Sequence, residues 1–169
     1  MNKLLTLLLL SVVPALAVAA GDHHAGGHAT HMHDVADMPG DQHASASGQA
    51  GDPAKVTRTI QMTLDDSMRF VPDKITVKAG ETVRFFVKNQ GKLAHELVLG
   101  SMAELKEHAE MMRKMPDMQH AEANMITLKP GQRGGLVWQF GEAGTVDFAC
   151  LIPGHLEAGM VGKVAVTNN

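Results

Sequence analysis

Turn signals cut the C-terminal part of this chain into runs too short for anything but β-structure. Val56 to Met62 alternates as a strand, Ile75-Thr76-Val77 is closed by Ala79-Gly80, and Thr82 to Asn89 is rich in Val and Phe. Asn89-Gln90-Gly91-Lys92 then turns the chain into a strand over His95 to Leu99. Further strands are expected over Ile126 to Leu128, Gly135 to Phe140, Thr145 to Cys150 and Val161 to Thr167. Lys129-Pro130-Gly131 and Gly141-Glu142-Ala143-Gly144 separate them. Phe70-Val71-Pro72-Asp73 reads as a turn, because Pro fixes φ and the following Asp tolerates turn geometry. Many short strands with frequent Gly and Pro turns predict an all-β, Greek-key β-sandwich.

One segment departs from this pattern. Met102 to Met115 holds helix-forming residues with no Gly and no Pro before Pro116. Ser101 is placed as its N-cap, and Glu104 completes a capping box. The sandwich is therefore expected to carry one helical, Met/His-rich insertion at about 101–120.

The N-terminal region is not expected to join the fold. Residues 1–20 combine Lys3, an apolar stretch from Leu4 to Ala19 and a run of small residues, as a signal peptide does. The stretch is short for a membrane span, so no membrane insertion is expected once the signal is removed. Residues 21–53 are Gly, Ala, Asp, Ser and His with almost no large apolar side chains. Such a segment cannot offset its ordering entropy and is read as a flexible, His-rich arm. The compact domain is then 54–169. Export places it in an oxidising compartment, read as the periplasm.

Composition narrows the partners. A net charge of −3 lacks the basic surface that nucleic acid requires. One Cys excludes an internal disulfide, leaving an exported thiol in need of protection. Against these, 12 Met and 10 His beside 4% aromatics and no Tyr point to soft-metal chemistry.

That chemistry concentrates in Cys150-Leu151-Ile152-Pro153-Gly154-His155-Leu156-Glu157-Ala158-Gly159-Met160. Thiolate, imidazole and thioether follow one another at intervals of five residues, on a loop between two expected strands. They are the ligand types that a blue-copper centre takes from one loop. A second His must come from elsewhere, and His95 is the best candidate: it opens a strand in the apolar context His-Glu-Leu-Val-Leu. A lone His there is ordinarily a satisfied core residue; the Cys–His–Met loop changes that balance. The metal set is thus His95, Cys150, His155 and Met160. A Cys–His nucleophile fits less well, since the Met five residues beyond suits metal better than acyl transfer. No G-x-S-x-G, H-E-x-x-H or Walker sequence occurs.

Accessory metal sites are expected in two places. In the arm, His23, His24, His28, His31, His33 and His43 suit weak, flexible capture. Cleavage after Ala20 would leave Gly21-Asp22-His23 as a terminus able to close a four-nitrogen square around Cu(II). In the insertion, His108, Met111, Met112 and Met115 recur at helical spacing, followed by Met118 and His120, as an additional Cu(I) site or as core.

On these residues the chain resembles the cupredoxins, the azurin, plastocyanin and auracyanin superfamily, over roughly Ala54 to Asn169. The shared motif is Cys-x-x-Pro-Gly-His. The arm, the Ala-His-Glu-Leu-Val-Leu strand, the Met/His-rich insertion and Cys-Leu-Ile-Pro-Gly-His-x-Glu-Ala-Gly-Met resemble the periplasmic copper-tolerance cupredoxins more closely. The resemblance implies a mononuclear copper centre held by two His, one Cys and one Met. Three departures from the azurin pattern stand out. The His155-to-Met160 gap is one residue longer, Ala94 replaces the Gly before the first His, and Glu96 replaces the Asn whose side chain braces the Cys loop. A carboxylate cannot donate that brace.

The function expected is copper tolerance by binding envelope copper. The alternative is a one-electron carrier to a periplasmic oxidase or reductase. The chain is not read as an enzyme, with weak cuprous oxidase activity left open. Expected partners are copper ions and periplasmic copper-handling or redox proteins.

Overall fold

A computed structural model describes residues 46–115 and 121–168. Its strands form two five-stranded sheets. The first has the order β1 (Gln49–Ala50), β8 (Arg133–Gln139), β5 (Thr82–Asn89), β2 (Arg58–Asp65) and β3 (Arg69–Val71). The second has the order β4 (Lys74–Lys78), β10 (Val161–Thr167), β9 (Gly144–Ala149), β6 (His95–Gly100) and β7 (Met125–Leu128). Pairing is antiparallel except for β2 with β5 and β10 with β4.

Alternation in the sequence decides what faces inward. Val83, Phe85 and Val87 on β5 meet Val164 and Val166 on β10 in one core, with Leu97 and Leu99 on β6 and Phe148 on β9. Burying an apolar side chain of this size contributes about 1.5–3 kcal/mol over leaving it exposed. Phe148 also meets the Phe70 ring edge-on at 5.0 Å.

Strand β6 is buried along its whole length because both its faces are covered. The face carrying Leu97 and Leu99 meets the first sheet. Val98, on the other face, packs with Leu105 and Ala109 of helix α1 (Met102–Lys114), together with Ala149 and Leu151. The helix begins where the sequence places it. Ser101 Oγ accepts the Glu104 N–H at 3.3 Å, and the Glu104 carboxylate accepts the Ser101 N–H at 2.7 Å. His95 shares the inward face with Leu97 and Leu99, which directs it between the sheets.

Two expectations need correction. Residues 46–53, assigned to the arm, enter the folded domain. Gln49 and Ala50 pair with Gln139 and Trp138, and the Trp138 indole donates to the Ser47 carbonyl at 2.9 Å. A Cβ on Gly48 would stand 2.2 Å from the Gln139 carbonyl oxygen, so the small residues that read as linker are what this close approach requires. Likewise, Phe70 and Val71 lie in β3 rather than in a turn, because Phe70 is buried and pairs with Leu64. Tertiary packing there outweighs local turn chemistry. Among the described residues no helix is long and apolar enough to cross a membrane. The expected signal peptide, the arm up to residue 45, and Met118 and His120 lie outside the described residues.

Candidate metal centre

Antiparallel pairing of β6 with β9 sets Val98 opposite Ala149, which brings the start of one strand and the end of the other to the same edge of the sandwich. His95 opens β6 and Cys150 follows β9, so both arrive there. The 150–160 loop then leads to β10, whose first residue Val161 pairs back with Ala149. Within this loop the His155 N–H donates to Ile152 O at 3.0 Å and the Met160 N–H to His155 O at 3.0 Å. The Cys150 N–H closes it by donating to Met160 O at 3.1 Å. Gly154 (φ 90°) and Gly159 (φ 88°) take the left-handed conformations that the compact loop needs.

Three donor atoms converge as a result. The metal-binding atoms of His95, Cys150 and His155 all lie within 4.8 Å of one another, on buried side chains. Cys150 Sγ stands 3.2 Å from His155 Nδ1, and the two imidazole rings lie 5.0 Å apart. The Met160 side chain is fully buried in the same cluster as Cys150.

The partners of His95 indicate what the site takes. Its Nε2 lies 3.1 Å from Asp66 Oδ1, and a carboxylate only accepts, so that nitrogen carries the proton. Nδ1 is left as an acceptor. It is the one fully buried side-chain nitrogen or oxygen among the described residues that has no hydrogen-bond partner. An unpaired buried acceptor costs about 1–3 kcal/mol, and a cation removes that cost. Two imidazole nitrogens, a sulfur that becomes thiolate on binding and a buried thioether form a donor set that suits copper.

Local electrostatics point the same way. Burial pushes the Cys150 thiol up to about 12, so ionisation waits for a metal to displace its proton. Burial lowers His155, which favours the neutral, ligating form of that imidazole.

Glu96 does not use its side chain as a brace. Its carboxylate accepts Thr127 Oγ1–H at 3.0 Å. Its main-chain N–H donates to Cys150 Sγ at 3.3 Å, which supplies a hydrogen bond between the two halves of the site.

The accessory residues on α1 divide. Leu105 and Ala109 bury the helix, His108 and Met112 are half-buried, and Met111 and Met115 are exposed. The two exposed methionines are thus not core. Arg113 on the same helix pairs with Glu157 in the 150–160 loop. Sequence reasoning missed Asp66, Arg69 and this Arg113 contact, since nothing in residue type or spacing ties them to the ligands. An open groove of about 670 Å³ bordered by Thr57, Arg58, Lys78, Glu81 and Thr167 includes none of the candidate ligands.

Comparison with known proteins points to a copper-binding family. Residues 56–167 match the family described as copper binding proteins, plastocyanin/azurin family. The copper-resistant cuproprotein CopI of Rubrivivax gelatinosus is 49% identical, over 98% of this chain and 98% of its own length. The protein of the same name from Vibrio cholerae is 35% identical over 96% of this chain and 97% of its own. Among solved structures, auracyanin B superposes with a TM-score of 0.59 at 22% identity, covering 72% of this chain and 96% of its own, a likeness of fold. Auracyanin A of Chloroflexus aurantiacus gives 0.55 at 25% identity, over 64% and 98%. With the matched region spanning β2 to β10, the 150–160 loop and His95, this chain belongs to the copper-binding plastocyanin/azurin family.

Proposed function

We propose that this protein binds one copper ion through His95 Nδ1, Cys150 Sγ and His155 Nδ1, with Met160 as the fourth ligand, and thereby protects the cell envelope from copper. The observation that carries this reading is the partnerless, buried Nδ1 of His95, on a residue that offers a donor atom within 4.8 Å of those of Cys150 and His155. Bound copper supplies a one-electron couple and, through the thiolate, an intense visible colour. The protein supplies enclosure. Cys150 is 0% exposed and His95 is 0% exposed, so neither thiol nor metal is readily reached by solvent oxidants.

The tolerance role is supported by relatives named copper-resistant cuproproteins that match over nearly their whole length. Residues 1–20 support export, with the periplasm as the working compartment. In this reading the arm histidines and the exposed Met111 and Met115 capture further copper at lower affinity.

Gene deletion with growth under copper stress tests the proposal. The deletion strain should become copper-sensitive, and the wild-type gene but not Cys150→Ser should restore growth. Unchanged tolerance together with a loss of respiratory flux would instead identify an electron carrier.

A further inference from the structure

One short hairpin that carries none of the four candidate ligands touches both halves of the metal centre. Strands β2 and β3 pair with Asp65 opposite Arg69, and residues 66–68 connect them. Asp65 closes the connection: its carboxylate accepts the Ser67 N–H at 3.0 Å and its carbonyl accepts the Met68 N–H at 3.2 Å. Met68 has φ 58°, a left-handed conformation that is unfavourable for a residue other than Gly. Its side chain packs against the core. Such a conformation persists where the surroundings over-determine it. Here it fixes the directions in which Asp66 and Arg69 leave the hairpin.

Asp66 reaches the segment leading into His95. Its Oδ2 accepts the Lys92 N–H at 2.7 Å. Its Oδ1 accepts the Leu93 N–H at 3.2 Å and lies 3.1 Å from His95 Nε2. Gly91 permits this approach, because a Cβ there would stand 2.0 Å from Asp66 Oδ1.

Arg69 reaches the other half. Its Nη1 donates to the carbonyls of Ala158 at 3.2 Å and Gly159 at 3.4 Å, and to its neighbour Met68 O at 2.7 Å. Ala158 and Gly159 are the two residues that lead into Met160. They lie in the stretch where the loop is one residue longer than the azurin pattern, and an added residue leaves more backbone to be held.

We propose that the β2–β3 hairpin is the positioning element of the metal centre, with Asp66 setting the tautomer and aim of His95 and Arg69 setting the path of the chain into Met160. This rests on the copper reading above. Neither residue is a ligand. Asp66 acts through the imidazole, since a carboxylate on the outer nitrogen orients the ring and strengthens the inner one as a donor. Arg69 acts through main-chain carbonyls, so its effect depends on its reach and its donors.

The two roles separate experimentally. In copper-free, 15N-His-labelled protein near neutral pH, long-range 1H–15N spectra should show His95 as the Nε2–H tautomer. Asp66→Ala should abolish that preference, and Asp66→Asn should weaken it, because the amide keeps one accepting oxygen but sets its NH2 against the Lys92 N–H. Asp66→Ala should also lower Cu(II) affinity by about 10- to 100-fold. Gly91→Ala, which displaces the carboxylate without removing it, should reproduce both effects and guards against a folding defect in Asp66→Ala. Arg69→Ala should leave the His95 tautomer unaltered but shift the visible spectrum and the reduction potential, and Arg69→Lys should restore part of the shift. An unchanged tautomer and affinity in Asp66→Ala, or an unchanged spectrum and potential in Arg69→Ala, would overturn the proposal. Failure of the copper reading itself would show differently, as equal copper uptake by wild type and Cys150→Ser, and the tautomer of the copper-free protein would still decide the role of Asp66.

Discussion

The main-chain N–H of Glu96 donates to the sulfur of Cys150 across 3.3 Å, joining the strand that presents His95 to the loop that carries the other three candidate ligands. A backbone donor is indifferent to the side chain of its residue. That explains how a carboxylate can stand at this position, turned toward Thr127, where azurin-like proteins use Asn. The sulfur keeps a hydrogen bond that stabilises its ionised form once a metal has displaced the proton.

Cys150→Ser should abolish the intense thiolate-to-Cu(II) absorption of the copper-loaded protein, because a hydroxyl is not a comparable soft ligand. The substitution is close to isosteric, so the two sheets should still form, as circular dichroism would report. A visible band that survives in this variant would remove Cys150 from the ligand set.

Met160→Gln should keep copper bound while lowering the reduction potential, since a harder oxygen ligand favours Cu(II). Voltammetry of the purified protein measures the change directly. An unaltered potential would mean that the Met160 side chain serves the core alone.

Truncation distinguishes arm from domain. Removal of residues 21–45 should leave the coloured centre and the thermal transition intact while reducing the extra copper equivalents bound, as read by metal titration. Extending the cut to residue 53 removes Ser47 and the β1 pairing, leaving the buried Trp138 indole without its acceptor. That loss should destabilise the domain by about 1–3 kcal/mol in denaturant unfolding. Equal stability of the two truncations would return residues 46–53 to the arm.

Acid should weaken the fold partly through Glu81. Partial burial works against its charge, but the Lys78 N–H and then the Arg58 guanidinium outweigh that and hold the carboxyl below its ordinary value of 4.5. A depressed folded-state value stabilises above the unfolded value, and the contribution disappears as pH falls through the folded one. Glu81→Gln should therefore melt a few degrees below wild type at about pH 7, with the gap closing as pH falls below the ordinary value of 4.5. A gap independent of pH would show that the ion pair with Arg58 contributes nothing to stability.

What could be read in advance follows from what the sequence encodes locally. β5 and β10 match their expected bounds because β-branched and aromatic residues are dense in the two runs, with Val83, Phe85 and Val87 in one and Val164 and Val166 in the other at alternate, buried positions. The helix was legible from Ser101 and Glu104, whose capping box is a contact between near neighbours. The three residues whose donor atoms converge were legible because the metal demands particular side chains. β1 was not, since two exposed residues, Gln49 and Ala50, are too short a run to show any alternation. Asp66 and Arg69 stayed hidden for a related reason. They act at distances of 29 and 89 residues along the chain, and ordinary surface turns contain the same residue types.

The solitary nitrogen of His95 has a consequence beyond ligation. A chain that buries an acceptor without answering it is weakened by its own design until a cation arrives. Any ligand that binds only the folded form then adds stability in proportion to the logarithm of its concentration. Proteases cut molecules that have opened, so loaded copies should outlast unloaded ones. Persistence of the protein would then track the supply of copper, a form of dosage control that needs no change in transcription.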